Sequence, residues 1–209
     1  MSLLFLHGLG QTPESWESVM QALSVPAACP DLLAPLRTGA ASYGRMYQAF
    51  AAGCARLPGP VHLCGLSLGG VMALQYGAEH PERVGSLVLI GAQYQMPRTL
   101  LRMQGLVFRL LPGSAFREMG LSKAAVLELT ASMAELDFRE EVGKIACPVL
   151  VLCGQKDRAN RKAAQGLERE IPGAELAWVA GAGHEINRDA PEALAEELRG
   201  FYRRQGLSV

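Results

Sequence analysis

Val61-His62-Leu63-Cys64-Gly65-Leu66-Ser67-Leu68-Gly69-Gly70 decides how this chain folds. Its first four residues form a mostly apolar run, as expected of a strand covered on both faces. From Leu68 to Glu79 the residues are apolar nearly all round, as in a helix buried against a sheet, and His80-Pro81 stops that helix. Between the two lies Gly65-Leu66-Ser67-Leu68-Gly69, a G-x-S-x-G match set between strand and helix. There a serine occupies a strained turn that lifts its hydroxyl clear of the sheet, while the two glycines let neighbouring backbone approach. The five residues alone carry little weight, since glycine and serine are common. The flanking strand and helix make Ser67 a candidate nucleophile.

Outward from this stretch, apolar runs alternate with helical patterns. Ser2 to Leu6 ends in His7-Gly8, Gly85 to Ile90 in Gly91, Pro148 to Cys153 in Gly154, and Glu175 to Val179 in a small-residue loop. A weaker run, Ala27 to Leu33, contains Pro30, which has no N–H for a ladder and so belongs at a sheet edge. Thr12-Pro13 reads as a helix start, and Ala159 to Glu170 and Pro191 to Arg204 are amphipathic. This rhythm predicts a single α/β domain over 1–209: a mostly parallel sheet of about six strands with helices on both faces. Gln93 to Phe138 breaks the rhythm with helical patterns and no strand, and is read as a short helical cap.

Composition bounds the function. The chain has 209 residues, 49% apolar and 19% charged, which suits one packed domain and excludes a disordered chain. Twenty basic residues balance twenty acidic ones, so no basic surplus points to nucleic acid or to an anionic membrane. Leu57 to Ala78 carries no formal charge, but its glycines and prolines argue against a membrane span. Met1 to Pro13 lacks the Lys or Arg of a secretory start. The expectation is a soluble cytoplasmic protein without membrane insertion, of open oligomeric state. Its five cysteines, Cys29, Cys54, Cys64, Cys147 and Cys153, have no metal-ligand spacing and read as reduced thiols, with a nucleophilic cysteine the lesser alternative. No metal and no cofactor is expected.

A serine hydroxyl needs a base to take its proton. Of four histidines, His62 lies inside a strand, His80 ends a helix and His7 closes the first strand. His184, in the loop after the last strand, is the candidate base, because catalytic groups of open parallel sheets gather at the carboxyl ends of strands. Asp157, in Gly154-Gln155-Lys156-Asp157, is the aspartate that follows a buried strand at that end; Asp31, Asp137 and Asp189 do not. The order Ser, Asp, His then emerges, with Asp157 holding the imidazole tautomer. An oxyanion would be met by the N–H of Leu68 and by one from the loop after the first strand, assigned to Leu9. His7 is expected to shape that loop.

Taken together these segments resemble the proline-iminopeptidase-like and esterase-like α/β-hydrolases. The resemblance rests on His7-Gly8 followed by Trp16, on Gly65 to Gly70, on Ala73-Leu74 through His80-Pro81 to Val84 and Leu87-Val88-Leu89, and on Gly154 to Asp157 and Gly183-His184. It spans nearly the whole chain outside the insertion. It implies an α/β-hydrolase fold, here without the family's opening hairpin, and a serine hydrolase acting on a small acyl ester or thioester through an acyl-enzyme. Trp16, Phe108 and Leu111 are the expected substrate contacts.

Two other readings compete. One is a non-hydrolytic enzyme, a lyase or cofactor-free oxidative enzyme, on the same scaffold; the other is a catalytically dead binding protein, which a missing triad member would favour. Within the insertion, Leu100, Leu101, Met103, Leu106, Val107, Phe108, Leu110 and Leu111 suit an acyl or aromatic group or simply pack on the sheet, and Arg98, Arg102 and Arg109 share a helix face that attracts an anion or is merely a solvated surface.

Overall fold

The computed structural model describes residues 2–96, 98–116 and 120–207, with the backbone alone for 98–100 and 102–104. Five parallel strands, β1 (Ser2–Leu6), β2 (Val61–Leu66), β3 (Val84–Ile90), β4 (Val149–Gly154) and β5 (Glu175–Val179), form one sheet in that order. Their apolar runs are continuous because both faces are covered. Along β1, Leu3 and Phe5 join one core while Leu4 and Leu6 join the other, and Val88 and Ile90 alternate with Leu87 and Leu89 in the same way.

The helices are α1 (Glu17–Leu23), α2 (Tyr43–Ala55), α3 (Leu68–Glu79), α4 (Arg98–Leu110), α5 (Lys123–Met133), α6 (Arg161–Glu170), the single turn α7 (Ile186–Asp189) and α8 (Pro191–Arg204). Cores on α1 and α8 cover one face of the sheet; α2, α3 and α6 contribute to the core on the other. Every residue of α3 except Gln75 and Glu79 is buried, as its all-round apolar sequence requires. No helix among the described residues is long and apolar enough to cross a membrane.

The sheet has five strands rather than about six. Ala27 to Leu33 pairs with β1 only at Ala28, whose N–H donates to Leu3 O at 3.0 Å and whose carbonyl accepts from Phe5 N–H at 2.9 Å. Pro30 has no N–H to continue the ladder. Asp31 then turns the chain by accepting the Leu33 N–H at 3.0 Å on Oδ1, and a short 3₁₀ turn follows from Ala34.

Between β3 and β4 stand α4 and α5, and among the described residues no strand of the sheet lies there. The two ends of this insertion are zipped together: Gln95 bridges Asp137, Met96 N–H donates to Leu136 O at 3.0 Å and Phe138 N–H to Tyr94 O at 2.7 Å. Helix α5 faces inward with Val126, Leu129 and Met133 buried. Helix α4 leaves Leu106, Val107 and Leu110 exposed, the last at 81%.

Candidate active site

Ser67 joins β2 to α3 at φ 53° and ψ −111°. A side chain rarely adopts this conformation, which lies outside even the left-handed helical region and costs on the order of 1–3 kcal/mol. Its surroundings hold it there. Ser67 N–H donates to Ile90 O at 2.8 Å, and Ser67 O accepts the Val71 N–H at 2.9 Å. The flanking glycines make the close approach possible: a Cβ on Gly69 would stand 2.2 Å from Leu6 O, and one on Gly65 2.3 Å from Gly69 O. The loop after β1 runs alongside, since a Cβ on Gly8 would lie 3.6 Å from Ser67 Cβ.

His184 and Asp157 come together from the loops after β5 and β4. His184 Nδ1 lies 2.8 Å from Asp157 Oδ2, the carboxylate buried and the imidazole 40% exposed. The two loops are stacked: Lys156 N–H donates to Ala182 O at 2.9 Å and Gln155 N–H to Val179 O at 3.0 Å. The end of β3 is their neighbour too. A Cβ on Gly91 would sit 3.0 Å from His184 Nδ1 and 3.4 Å from Asp157 Oδ2, while the preceding Ile90 holds the Ser67 N–H. Burial pushes the Asp157 carboxyl up, but hydrogen bonds from His184 and Asn160 outweigh it and hold the group below the ordinary carboxylate range. Asp157 is therefore a charged acceptor that favours the His184 proton on Nδ1 and leaves Nε2 without one.

The expected oxyanion donors are backbone groups. Leu68 opens α3, where a first-turn N–H has no intrahelical acceptor. Leu9 lies in the loop that His7 pins. His7 is fully buried; its Nε2 accepts the Leu32 N–H at 3.1 Å, so Nδ1 carries the proton and donates to Gly8 O at 3.0 Å. Burial pushes its imidazole down, and with both nitrogens engaged His7 shapes the loop. Gln11 and Asn187 tie the same loop to the histidine segment. Each side-chain amide donates to the other's oxygen, at 3.1 and 3.2 Å, and Gln11 Oε1 also accepts the Gly8 N–H at 3.3 Å.

Three contributors went unrecognised in the sequence. Asn160 Nδ2 donates to both Asp157 oxygens, at 3.0 and 2.8 Å, and its Oδ1 accepts from Gln93 Nε2 at 2.6 Å. Asp189 Oδ2 accepts the Gly183 N–H at 2.7 Å, bracing the residue before His184. Single polar residues in loops carry no periodic signal, so only the fold reveals these roles.

The expected substrate contacts are not brought together. Trp16 is fully buried against Phe5, ring centroids 4.8 Å apart, and belongs to the core beneath the sheet with α1 and α8, which corrects its expected role. Phe108 packs edge-on to Phe116 at 5.6 Å inside the insertion. Leu111 is 37% exposed on its outer side. A cleft of about 650 Å³ at the root of the insertion is lined by residues that include Gln93, Tyr94, Asp137, Arg139, Ala159 and Lys162; it adjoins Asn160, and neither Ser67 nor His184 lines it. Of the apolar and arginine positions expected on α4, the side chains of Arg98, Leu100, Arg102 and Met103 lie outside the described residues. Burial pushes the thiols up, Cys29 and Cys54 to about 12, Cys147 and Cys153 to about 11 and Cys64 well above its ordinary value, so none is poised as a thiolate nucleophile.

Residues 3–197 match the model of a family described as the alpha/beta hydrolase family. The pimeloyl-[acyl-carrier protein] methyl ester esterase of Neisseria meningitidis serogroup B is 27% identical, over 94% of this chain and 90% of that protein. The 2-succinyl-6-hydroxy-2,4-cyclohexadiene-1-carboxylate synthase of Salmonella agona is also 27% identical, over 97% of this chain and 94% of its own. A thermophilic esterase from Thermogutta terrifontis superposes with a TM-score of 0.77 at 21% identity, covering 99% of this chain and 91% of that one. At that identity the likeness is one of fold.

Proposed function

Because the chain belongs to the alpha/beta hydrolase family, we propose that it is a serine hydrolase that cleaves a small carboxylic ester or thioester through an acyl-enzyme on Ser67. The observation that carries this reading is the 2.8 Å pair of His184 Nδ1 and Asp157 Oδ2 packed against Gly91, next to the Ile90 whose carbonyl holds the N–H of Ser67 at positive φ. His184 Nε2 takes the Ser67 proton as Oγ attacks the carbonyl carbon, and the oxyanion is met by the N–H groups of Leu68 and Leu9. The tetrahedral species collapses as His184 returns the proton to the leaving alcohol or thiol. Water, deprotonated by the same Nε2, then releases the acid and restores Ser67.

The insertion 93–138 serves on this reading as a cap over the acyl side. The reading takes the protein as cytoplasmic, without a cofactor and without nucleic acid as a partner, in keeping with its balanced charge. It is tested by turnover of p-nitrophenyl esters: wild type hydrolyses them, and Ser67→Ala falls to the residual rate left by the oxyanion hole and binding.

A second reading has support of its own, since relatives matched over nearly their full length include a synthase. A non-hydrolytic enzyme would use the same serine and histidine for proton transfer and elimination. It would leave simple esters uncleaved and would accumulate no acyl-serine.

A further inference from the structure

Asn160 stands at the N-cap of α6, where an asparagine side chain ordinarily accepts a hydrogen bond from the first helical turn. It makes no such bond. Its amide turns back on the carboxylate instead, Nδ2 lying 3.0 and 2.8 Å from the two Asp157 oxygens, and its own backbone N–H reaches Oδ1 at 3.3 Å. The orientation of this amide is forced, because the reverse would put Oδ1 against a carboxylate and point two NH₂ groups at each other. The Oδ1 so exposed accepts from Gln93 Nε2 at 2.6 Å. Gln93 is where the chain leaves β3 for the insertion, just before the Gln95 to Asp137 bridge that closes its stem.

We propose that Gln93 and Asn160 are positioning residues, a relay that holds the Asp157 carboxylate against His184 and ties it to the root of the insertion. This rests on the reading of Asp157 and His184 as acid and base. Two N–H donors from Asn160 spread the carboxylate charge, and the 3.1 Å approach of Nδ2 to His184 Nδ1 sets an amide dipole against an extra positive charge on the ring. Both effects weaken the negative charge that the carboxylate presents to the ring, and the Asn160 bonds fix the direction from which it is presented. Movement of the stem that withdrew Gln93 would free the Asn160 amide and undo this. Other charged groups around the pair and Gln93 are Lys156 and Arg158 on either side of Asp157, Asp189, the Glu185 and Arg188 ion pair, Arg161 over the Trp178 ring, and Glu135, Asp137, Arg139 and Lys162 in the cleft that Gln93 lines. None of them changes in the variants below.

The test is the pH profile of kcat/KM on a p-nitrophenyl ester for wild type, Asn160→Ala, Gln93→Met and the double variant, with Tm measured on each and Ser67→Ala alongside. Gln93→Met keeps volume at a half-buried site and so guards against a variant that does not fold. Asn160→Ala is expected to lower kcat about tenfold with KM nearly unchanged, and to move the acid limb up by about one pH unit. Gln93→Met should move both in the same direction by less, and the double variant should match Asn160→Ala alone, because the two residues act in series. An acid limb unmoved in both single variants, or losses that add in the double variant or follow Tm alone, would overturn the relay. Full turnover by Ser67→Ala is a different result and would overturn the hydrolase reading itself.

Discussion

Ser67 is held in a conformation that a glycine would adopt freely, and the backbone around it leaves it no other. On the proposed reading, the strain is a local cost carried for the sake of the Ser67 hydroxyl. Ser67→Gly should therefore be inactive yet more stable, by about 1 kcal/mol after allowing for the greater chain entropy of glycine; chemical denaturation of the two proteins checks it. Asp157 makes a second prediction at this scale. Its carboxyl titrates lower in the folded protein than in the unfolded chain, so its contribution to stability is complete above the ordinary carboxylate value of about 3.9 and is lost as pH falls through the lower folded value. Denaturation midpoints between roughly pH 5 and 2 should fall for wild type, and this component of the fall should be missing in Asp157→Asn. The strained turn at Ser67 and the meeting of Asp157 with His184 were legible in the sequence because each residue sits at a strand end with a recognisable neighbour. Asn160 and Gln93 were not, because a lone amide takes its meaning from what it touches. Trp16 misled, since its spacing from His7-Gly8 gave no sign of which sheet face its ring would fill.

At the scale of elements, the loops after β4 and β5 act as one unit. Asp189 braces it by accepting the Gly183 N–H from within α7. Asp189→Asn keeps a carbonyl oxygen for that bond and should change kcat little. Asp189→Ala removes the acceptor and should cost about 1–2 kcal/mol, or roughly 5- to 30-fold in kcat; comparing the two in a steady-state assay decides it. The insertion divides in a way its apolar sequence did not reveal. Helix α5 buries its apolar residues, whereas α4 turns Leu106, Val107 and Leu110 outward. Leu111→Ser should accordingly leave thermal stability within about 0.5 kcal/mol, while Phe108→Ser, which loses the edge-on contact with Phe116, should cost about 1–3 kcal/mol. Helical spacing told that these residues are apolar at one face; only tertiary packing settles which face is covered. Ala27 to Leu33 failed as a strand for a simpler reason, the missing N–H of Pro30 followed by the Asp31 turn.

Over the whole molecule, one parallel sheet buried on both faces carries the strand ends that supply Ser67, Asp157 and His184 to a common rim. This architecture was readable because uninterrupted apolar runs ending in glycine are hard to reconcile with any other arrangement. The helix Tyr43–Ala55 was not marked out beforehand; its mixed face of Tyr43, Met46, Tyr47 and Phe50 becomes a pattern once the sheet it covers is known. The central claim is that this rim makes Ser67 a nucleophile toward acyl carbon. Intact-protein mass spectrometry after brief mixing with p-nitrophenyl butyrate, followed by peptide mapping, tests it most directly. The account predicts one transient butyryl group on Ser67, absent in Ser67→Ala and slow to clear in His184→Ala if it forms there at all. An acyl group on a cysteine or another serine, or ester turnover that persists in Ser67→Ala, would contradict it.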